Sequence, residues 1–235
     1  MRRIRGRKIV ELTAAEFAEL AARYDKVVLD VGTGDGKHAL ALARQRPDQL
    51  IVGLDAAKDN LRKVSARTDV ANLLFVWAAV ERLPVELSGI GEVHVLMPWG
   101  SLLRGMLGGS STEPGRDSSV LGDQSSVLGA VADRCLPGAP FLVTLNLHAW
   151  RPPVPEVGTH AEPTPESAMA ELAESYRRHG WLLQQARYLD DEGIGQLATS
   201  WTRRLNSSRD RLDVLALTGV LEPGERASAD RNQPA

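Results

Sequence analysis

The chain has 235 residues, 43% of them hydrophobic and 25% charged, with a formal net charge of −2, the make-up of an ordinary soluble globular protein able to bury a substantial core. No apolar run approaches the roughly 20 residues needed to span a bilayer, and the basic start MRRIRGRKIV lacks the apolar stretch of a signal peptide. The lone Cys135 excludes an intramolecular disulfide and a cysteine zinc cluster, and points to a reducing, cytoplasmic setting.

The first eight residues carry Arg2, Arg3, Arg5, Arg7 and Lys8 and no acid. GRKIVEL is expected to form a short strand, and TAAEFAELAARY a helix capped by Thr13 with Glu16 completing a capping box. Apolar runs then recur as KVVLDV (26–31), LIVGLD (50–55), LLFVWA (73–78), EVHVLM (92–97), PFLVTLNL (140–147), WLLQQARYL (181–189) and DVLALTGV (213–220). The segments between the first three have helical spacing. Near-continuous apolar strands alternating with helices predict a parallel sheet covered on both faces, hence one doubly wound α/β domain of seven strands over residues 1–221.

Two segments rich in Gly, Ser and Pro, 108–126 and 149–165, are expected to be loop insertions, the first flexible. The polar tail 222–235 is expected to be unordered. Trp77 and Trp181, inside apolar runs, are expected to be core aromatics, and Cys135 a small buried residue at a helix end. A second basic island, Arg203, Arg204, Arg209 and Arg211 against Asp210, stands in WTRRLNSSRDR. Two separated basic islands on an otherwise acidic body suggest a localised contact with a polyanion.

The stretch VVLDVGTGDG (27–36) ends a strand in Asp30 and follows it with Gly32, Gly34 and Gly36. Such a turn lets backbone approach a ligand closely at the carboxyl end of a parallel sheet. The spacing is one residue short of the dinucleotide fingerprint G-x-G-x-x-G. Asp30 and Asp35 beside it would repel a pyrophosphate and suit a ligand carrying ammonium and sulfonium groups. Asp55, ending the next strand, can accept hydrogen bonds from both ribose hydroxyls of a nucleoside. VLDVGTGDG followed by GLD resembles the first two motifs of class I (Rossmann-like) methyltransferases dependent on S-adenosylmethionine. By that resemblance Ala79, Val80 and Glu81, after the third strand, lie where the adenine is wrapped.

After the fourth strand MPWG (97–100) offers no carboxylate or amide to take up an amine proton. A ring nitrogen already has an in-plane lone pair, so its methylation needs alignment more than a general base. Trp99 and Trp201 could stack on both sides of an extruded base, each adding roughly 1–3 kcal/mol, and attract the cation that forms as methyl arrives.

DVGTGDGKH, ERLP, LMPWGSLL, NLHAWRPPVPEVG and SWTRRLNSSRDR together resemble the aminoglycoside-resistance 16S rRNA methyltransferases of the kanamycin-apramycin type, which modify N1 of adenine-1408. The resemblance runs from about Arg2 to Val220. It implies S-adenosylmethionine as cofactor, the assembled 30S subunit as partner, a monomer, and no metal or membrane. It implies a cofactor pocket of Asp30, Gly32, Gly34, His38, Asp55, Ala79, Val80, Glu81, Leu96, Pro98, Trp99, Ser101, Thr199, Ser200 and Trp201. Trp99 and Trp201 would hold the flipped adenine, and both basic islands would contact rRNA, the first as a hairpin. Lys58, Lys63 and Arg67 stand in for further lysines of relatives. A small-molecule methyltransferase lacks a reason for the arginine islands, the glycine spacing disfavours a nicotinamide oxidoreductase, and the intact Asp30, glycines and Asp55 disfavour a nucleic-acid binder with an empty pocket. The five histidines show no metal-ligand spacing.

Overall fold

The seven apolar runs each become a strand of one sheet, and the basic N-terminal segment adds two more. The computed structural model describes residues 1–108, 126–151, 157, 161–198 and 213–222. In chain order these form β1 (Arg2–Arg5), β2 (Lys8–Glu11), α1 (Ala14–Ala21), β3 (Lys26–Val31), α2 (Lys37–Gln45), β4 (Gln49–Asp55), α3 (Lys58–Ser65), β5 (Leu73–Trp77) and β6 (Glu92–Leu96). There follow α4 (Gly100–Met106), α5 (Val127–Ala132), β7 (Ala139–Asn146), α6 (Pro165–Ser167), a π-helical turn (Ala168–Leu172), α7 (Ala173–Arg177), β8 (Trp181–Tyr188), α8 (Asp191–Gln196) and β9 (Val214–Leu221). Thr13 caps α1 and Glu16 closes the capping box, as its spacing predicts.

The sheet order is β2-β1-β5-β4-β3-β6-β7-β9-β8. β5, β4, β3, β6 and β7 run parallel. Two features correct the expected seven-stranded parallel arrangement. The basic segment folds through Gly6 into a hairpin whose β1 pairs antiparallel with β5, which raises the strand count to nine among the described residues. β9 also runs antiparallel, wedged between β7 and β8. Its sequence VLALTGVL is as apolar as any parallel strand because it is buried; an apolar run reports burial, not direction.

Alternation along the strands divides the core into two layers. Val28, Ile51 and Phe75 face one side and pack with Leu42 of α2, Leu61 of α3 and Ile4 of β1. Leu29, Val52, Val93 and Val143 face the other, with Phe17 of α1, Leu103 of α4 and Val131 of α5. Trp181 is a core aromatic, fully buried against Phe141 and Tyr176, and its indole N–H donates to the Leu128 carbonyl at 2.9 Å. Cys135 donates to the Val131 carbonyl just past α5, and burial pushes its thiol up to about 12, as befits an inert residue. Residues 109–125, most of 152–160 and the tail from 223 lie outside the described residues. Among the described residues no helix is long and apolar enough to cross a membrane.

Candidate active site

At the carboxyl ends of β3 and β4 the chain hooks sideways: the amides of Gly32 and Thr33 both donate to the Leu54 carbonyl, at 2.8 and 2.9 Å. The turn that follows needs positive φ at Gly34 (+57°) and Gly36 (+68°). The two glycines answer different demands. A Cβ on Gly36 would stand 2.8 Å from Phe75 and 2.9 Å from Val64, so packing requires glycine there. At Gly34 a Cβ would meet nothing nearer than 3.9 Å, so the backbone faces open space that a ligand can use. Gly32 approaches α4 instead, its position for a Cβ lying 2.6 Å from Leu102, which sets the MPWG segment beside the turn.

Asp55 is held by backbone from both sides. Gly34 N–H donates to its Oδ2 at 2.8 Å and Ala57 N–H to its Oδ1 at 2.7 Å. Each carboxylate oxygen retains a second acceptor position, the requirement for gripping two hydroxyls. Asp30 is 2% exposed and accepts from the Thr33 hydroxyl. Burial pushes its carboxyl up to about 6, against which the Thr33 hydrogen bond and the His94 charge pull down. Asp35 pairs with Lys37 Nζ at 2.6 Å.

The remaining pocket candidates among the described residues stand in the segments that follow β5 and β6 and at the start of α2. The Ala78 amide donates to the Asp55 carbonyl at 3.2 Å, which starts the 3₁₀ turn Val80–Arg82 next to it; Ala79 is exposed, Glu81 half-buried and Val80 buried. Leu96 and Pro98 are buried, Ser101 is exposed, and Trp99 keeps 40% of its surface in water. Met97 between them has a left-handed backbone, φ +49°. Its N–H donates to both the carbonyl (2.8 Å) and the hydroxyl (3.1 Å) of Thr144 on β7. Strain of this kind, of order 1–3 kcal/mol, persists only where neighbours hold it and clusters at functional sites. His38 is buried with both ring nitrogens engaged, Nδ1 at 2.6 Å from the Leu197 carbonyl and Nε2 at 2.8 Å from His94 Nδ1, which leaves no ring atom for hydrogen-bonding a ligand. Burial, then the His94 charge, lowers it to about 4.

A glycine turn with open backbone and a strand-end carboxylate held by it offer hydrogen-bonding groups of the kind a nucleoside needs, and Trp99 stands exposed just before α4. The chain matches the model of the NpmA family, described as 16S rRNA (adenine(1408)-N(1))-methyltransferase, over residues 2–113 and 118–220. The chain belongs to this methyltransferase family. It is 54% identical over 230 residues to a 16S rRNA (adenine(1408)-N(1))-methyltransferase of Streptoalloteichus tenebrarius, covering 95% of this chain and all of that one. A protein of the same description from Escherichia coli is 30% identical over 221 residues, covering 88% and 93%. Among solved structures, the 16S rRNA methyltransferase KamB superimposes with TM-score 0.84 at 55% identity, over 95% of this chain and all of that one. A tryptophan-to-alanine variant of the corresponding enzyme from Catenulisporales acidiphilia, solved with cosubstrate SAM, gives 0.78 at 29% identity over the full length of both.

In this methyltransferase the first basic island lies along the hairpin, with Arg2, Arg5, Arg7 and Lys8 exposed and Arg3 half-buried. Trp77 is not the core aromatic its apolar run suggests. It ends β5 opposite Asp55, half-exposed, with the Arg2 guanidinium 4.0 Å above its ring, Lys58 Nζ at 5.2 Å, and its N–H donated to Ala56 at 3.0 Å. Thr199, Ser200, Trp201, Arg203, Arg204, Arg209 and Arg211 lie outside the described residues. Among the described residues no group of three His, Cys, Asp or Glu could hold a metal ion.

Sequence reasoning missed three groups. Thr144 carries no motif, yet clamps Met97. Asp213, 1% exposed, binds Arg151 Nη1 at 2.7 Å and His148 Nε2 at 3.1 Å, while Arg151 grips Glu162 with two further bonds. His94 and Glu92 join His38 in a buried chain. A histidine in the middle of the apolar run EVHVLM was the available signal, because an interior imidazole demands partners.

Proposed function

We propose that the enzyme transfers a methyl group from S-adenosylmethionine to N1 of adenine-1408 in the 16S rRNA of the assembled 30S subunit, and so protects its cell from aminoglycosides. The observation that carries this reading is Asp55, anchored by the Gly34 and Ala57 amides at the mouth of an open glycine turn, in a chain of this family. When bound, S-adenosylmethionine supplies an electrophilic methyl on sulfonium. Asp55 would take the ribose hydroxyls, the open backbone at Gly34 would contact the methionine part, Asp30 would balance the cationic end, and the 3₁₀ turn at Val80 would receive the adenine.

The target nitrogen needs no base to remove a proton, which agrees with the absence of an acid or amide in MPWG. Trp99 presents an indole face to the extruded base, offsetting part of the few kcal/mol that extrusion costs. Its π-face also favours the positive charge that the ring acquires as the methyl arrives. Trp201 supplies the second face, and Thr199 and Ser200 close the cofactor pocket. The hairpin cations and the arginines of 203–211 bind phosphates of the folded subunit. The enzyme acts as a cytoplasmic monomer, its residues 1–221 forming one domain.

Primer extension on 16S rRNA from 30S particles treated with enzyme and S-adenosylmethionine tests this. An N1 methyl blocks the pairing edge, so a single stop next to adenine-1408 is expected. Full-length extension with label in some small metabolite would overturn the proposal.

A further inference from the structure

Behind the cofactor-side acid runs a line of hydrogen bonds that crosses the layer between α2 and the sheet. It begins at the Leu197 carbonyl, passes His38 Nδ1 (2.6 Å), His38 Nε2 to His94 Nδ1 (2.8 Å), and His94 Nε2 to Glu92 Oε1 (2.9 Å). Both imidazoles are buried, at 7% and 6% exposure. The line ends in acceptors on both sides. A carbonyl cannot donate, and Glu92 is tied as an anion by Arg46 Nη1 at 2.7 Å and Lys26 Nζ at 3.1 Å. Burial alone would raise the Glu92 carboxyl, but hydrogen bonds from His94, Arg46 and Lys26 hold it well below the usual carboxylate range.

Three hydrogen bonds between two terminal acceptors need three N–H groups. Two neutral imidazoles have two. We infer that His38 and His94 together hold a third proton, a buried imidazolium centred on His94, and that this cation is the counterion that keeps Asp30 ionised, making His94 a positioning residue for S-adenosylmethionine.

The placement of His94 supports both halves. In the parallel ladder Asp30 pairs with His94, so the two side chains share one face of adjacent strands. Asp30 is the group in need of a counterion, since burial acts against its charge. His94 is the ring in contact with the Glu92 carboxylate, whereas His38 meets only a neutral carbonyl, and this assigns the extra proton to His94. The charged groups facing the pair and Asp30 come from four elements: Asp30 and Lys26 on β3, Asp55 on β4, Glu92 on β6, and Arg46 at the end of α2. With the imidazolium, the three anions Asp30, Asp55 and Glu92 meet three cations; with neutral rings they would meet two among these groups.

The role for Asp30 rests on the proposed cofactor reading, so two measurements separate them. The first needs no cofactor: long-range proton–nitrogen spectra of histidine-labelled protein at pH 7.5. The expected result is one ring with both nitrogens protonated, lost as an assignment in His94→Gln, and one neutral ring protonated at Nδ1, lost in His38→Gln. Two neutral rings would overturn the inference. In Glu92→Gln the acceptor becomes neutral and the pair is expected to lose its extra proton, which the same spectra read.

The second is calorimetry of S-adenosylmethionine at pH 6 and 8.5. If removal of the cation raises the Asp30 carboxyl by about one unit, His94→Gln and Glu92→Gln bind about fivefold more weakly than wild type at pH 6 and within twofold at pH 8.5. Equal losses at both pH values mean a purely structural role and overturn the positioning half. Asp30→Asn should abolish the difference between the two pH values. Wild-type protein that binds no S-adenosylmethionine at either pH would instead sink the cofactor reading, and the spectra would still decide the proton count.

Discussion

The parallel centre of the sheet and the hairpin on its edge handle charge in opposite ways. In the centre, Asp30, His38 and His94 are buried and Glu92 half-buried, and each has a named partner at 2.6–3.1 Å or an adjacent strand position. On the hairpin, Arg2, Arg5, Arg7 and Lys8 stand in water, carried by four-residue strands. The lesson is one of dielectric. A buried charge acts singly and strongly because nothing screens it, while surface charges act as a sum that salt dilutes. In the proposed function the centre thus holds one cofactor by geometry and the hairpin a large polyanion by density of charge.

The contrast predicts a descending series of effects. Asp55→Ala removes the acceptor that two backbone amides aim, and S-adenosylmethionine affinity measured by calorimetry should fall more than about a hundredfold, in the range of a lost pair of hydrogen bonds to a charged group. Unchanged affinity would break the comparison at its centre. Trp99→Ala should leave cofactor affinity within about twofold but reduce methylation of 30S particles by roughly fivefold to 150-fold, the equivalent of 1–3 kcal/mol of stacking; equal losses in both assays would move Trp99 from the base to the cofactor.

Wild-type affinity should be level above pH 7 and fall by up to about tenfold per unit below pH 6. The sign follows from Asp30: its carboxyl sits near 6, the ammonium partner favours the ionised form, and acid removes that form. An affinity independent of pH down to 5 would show that Asp30 takes no part. At the hairpin, Arg5→Glu or Arg7→Glu should each weaken 30S binding only a few-fold at moderate salt. Each should also flatten the dependence of affinity on salt by about one unit of logarithmic slope or more. A single hairpin substitution that eliminates binding at all salt concentrations would sharpen the picture, by showing one arginine to be a buried contact in the complex.

Much of the centre was legible in the sequence because its signals are local. A strand ending in Asp30, the glycines that follow, and Asp55 at the next strand end are specified by backbone conformation and by the carboxyl-end geometry of any parallel sheet. The helix cap at Thr13 and Glu16 is legible for the same reason. Trp77 misled because an apolar run does not say where its strand emerges from the core; it emerges there, beneath Arg2. β9 misled because burial on two faces is compatible with either strand direction.

By itself the sequence determined the elements, the acidic and glycine-rich turn, the basic islands and the family, all of which depend on neighbours in the chain or on composition. Only the tertiary structure decided the hairpin's attachment to β5, the reversal of β9, the clamp of Thr144 on Met97, and the line from Leu197 through His38 and His94 to Glu92. Apart from the His94–Glu92 bond, two positions apart, the side-chain contacts among these join residues 47 to 159 positions apart. Hydrogen-bond complementarity at such separations is a property of positions in space, and no local pattern of residue types encodes it.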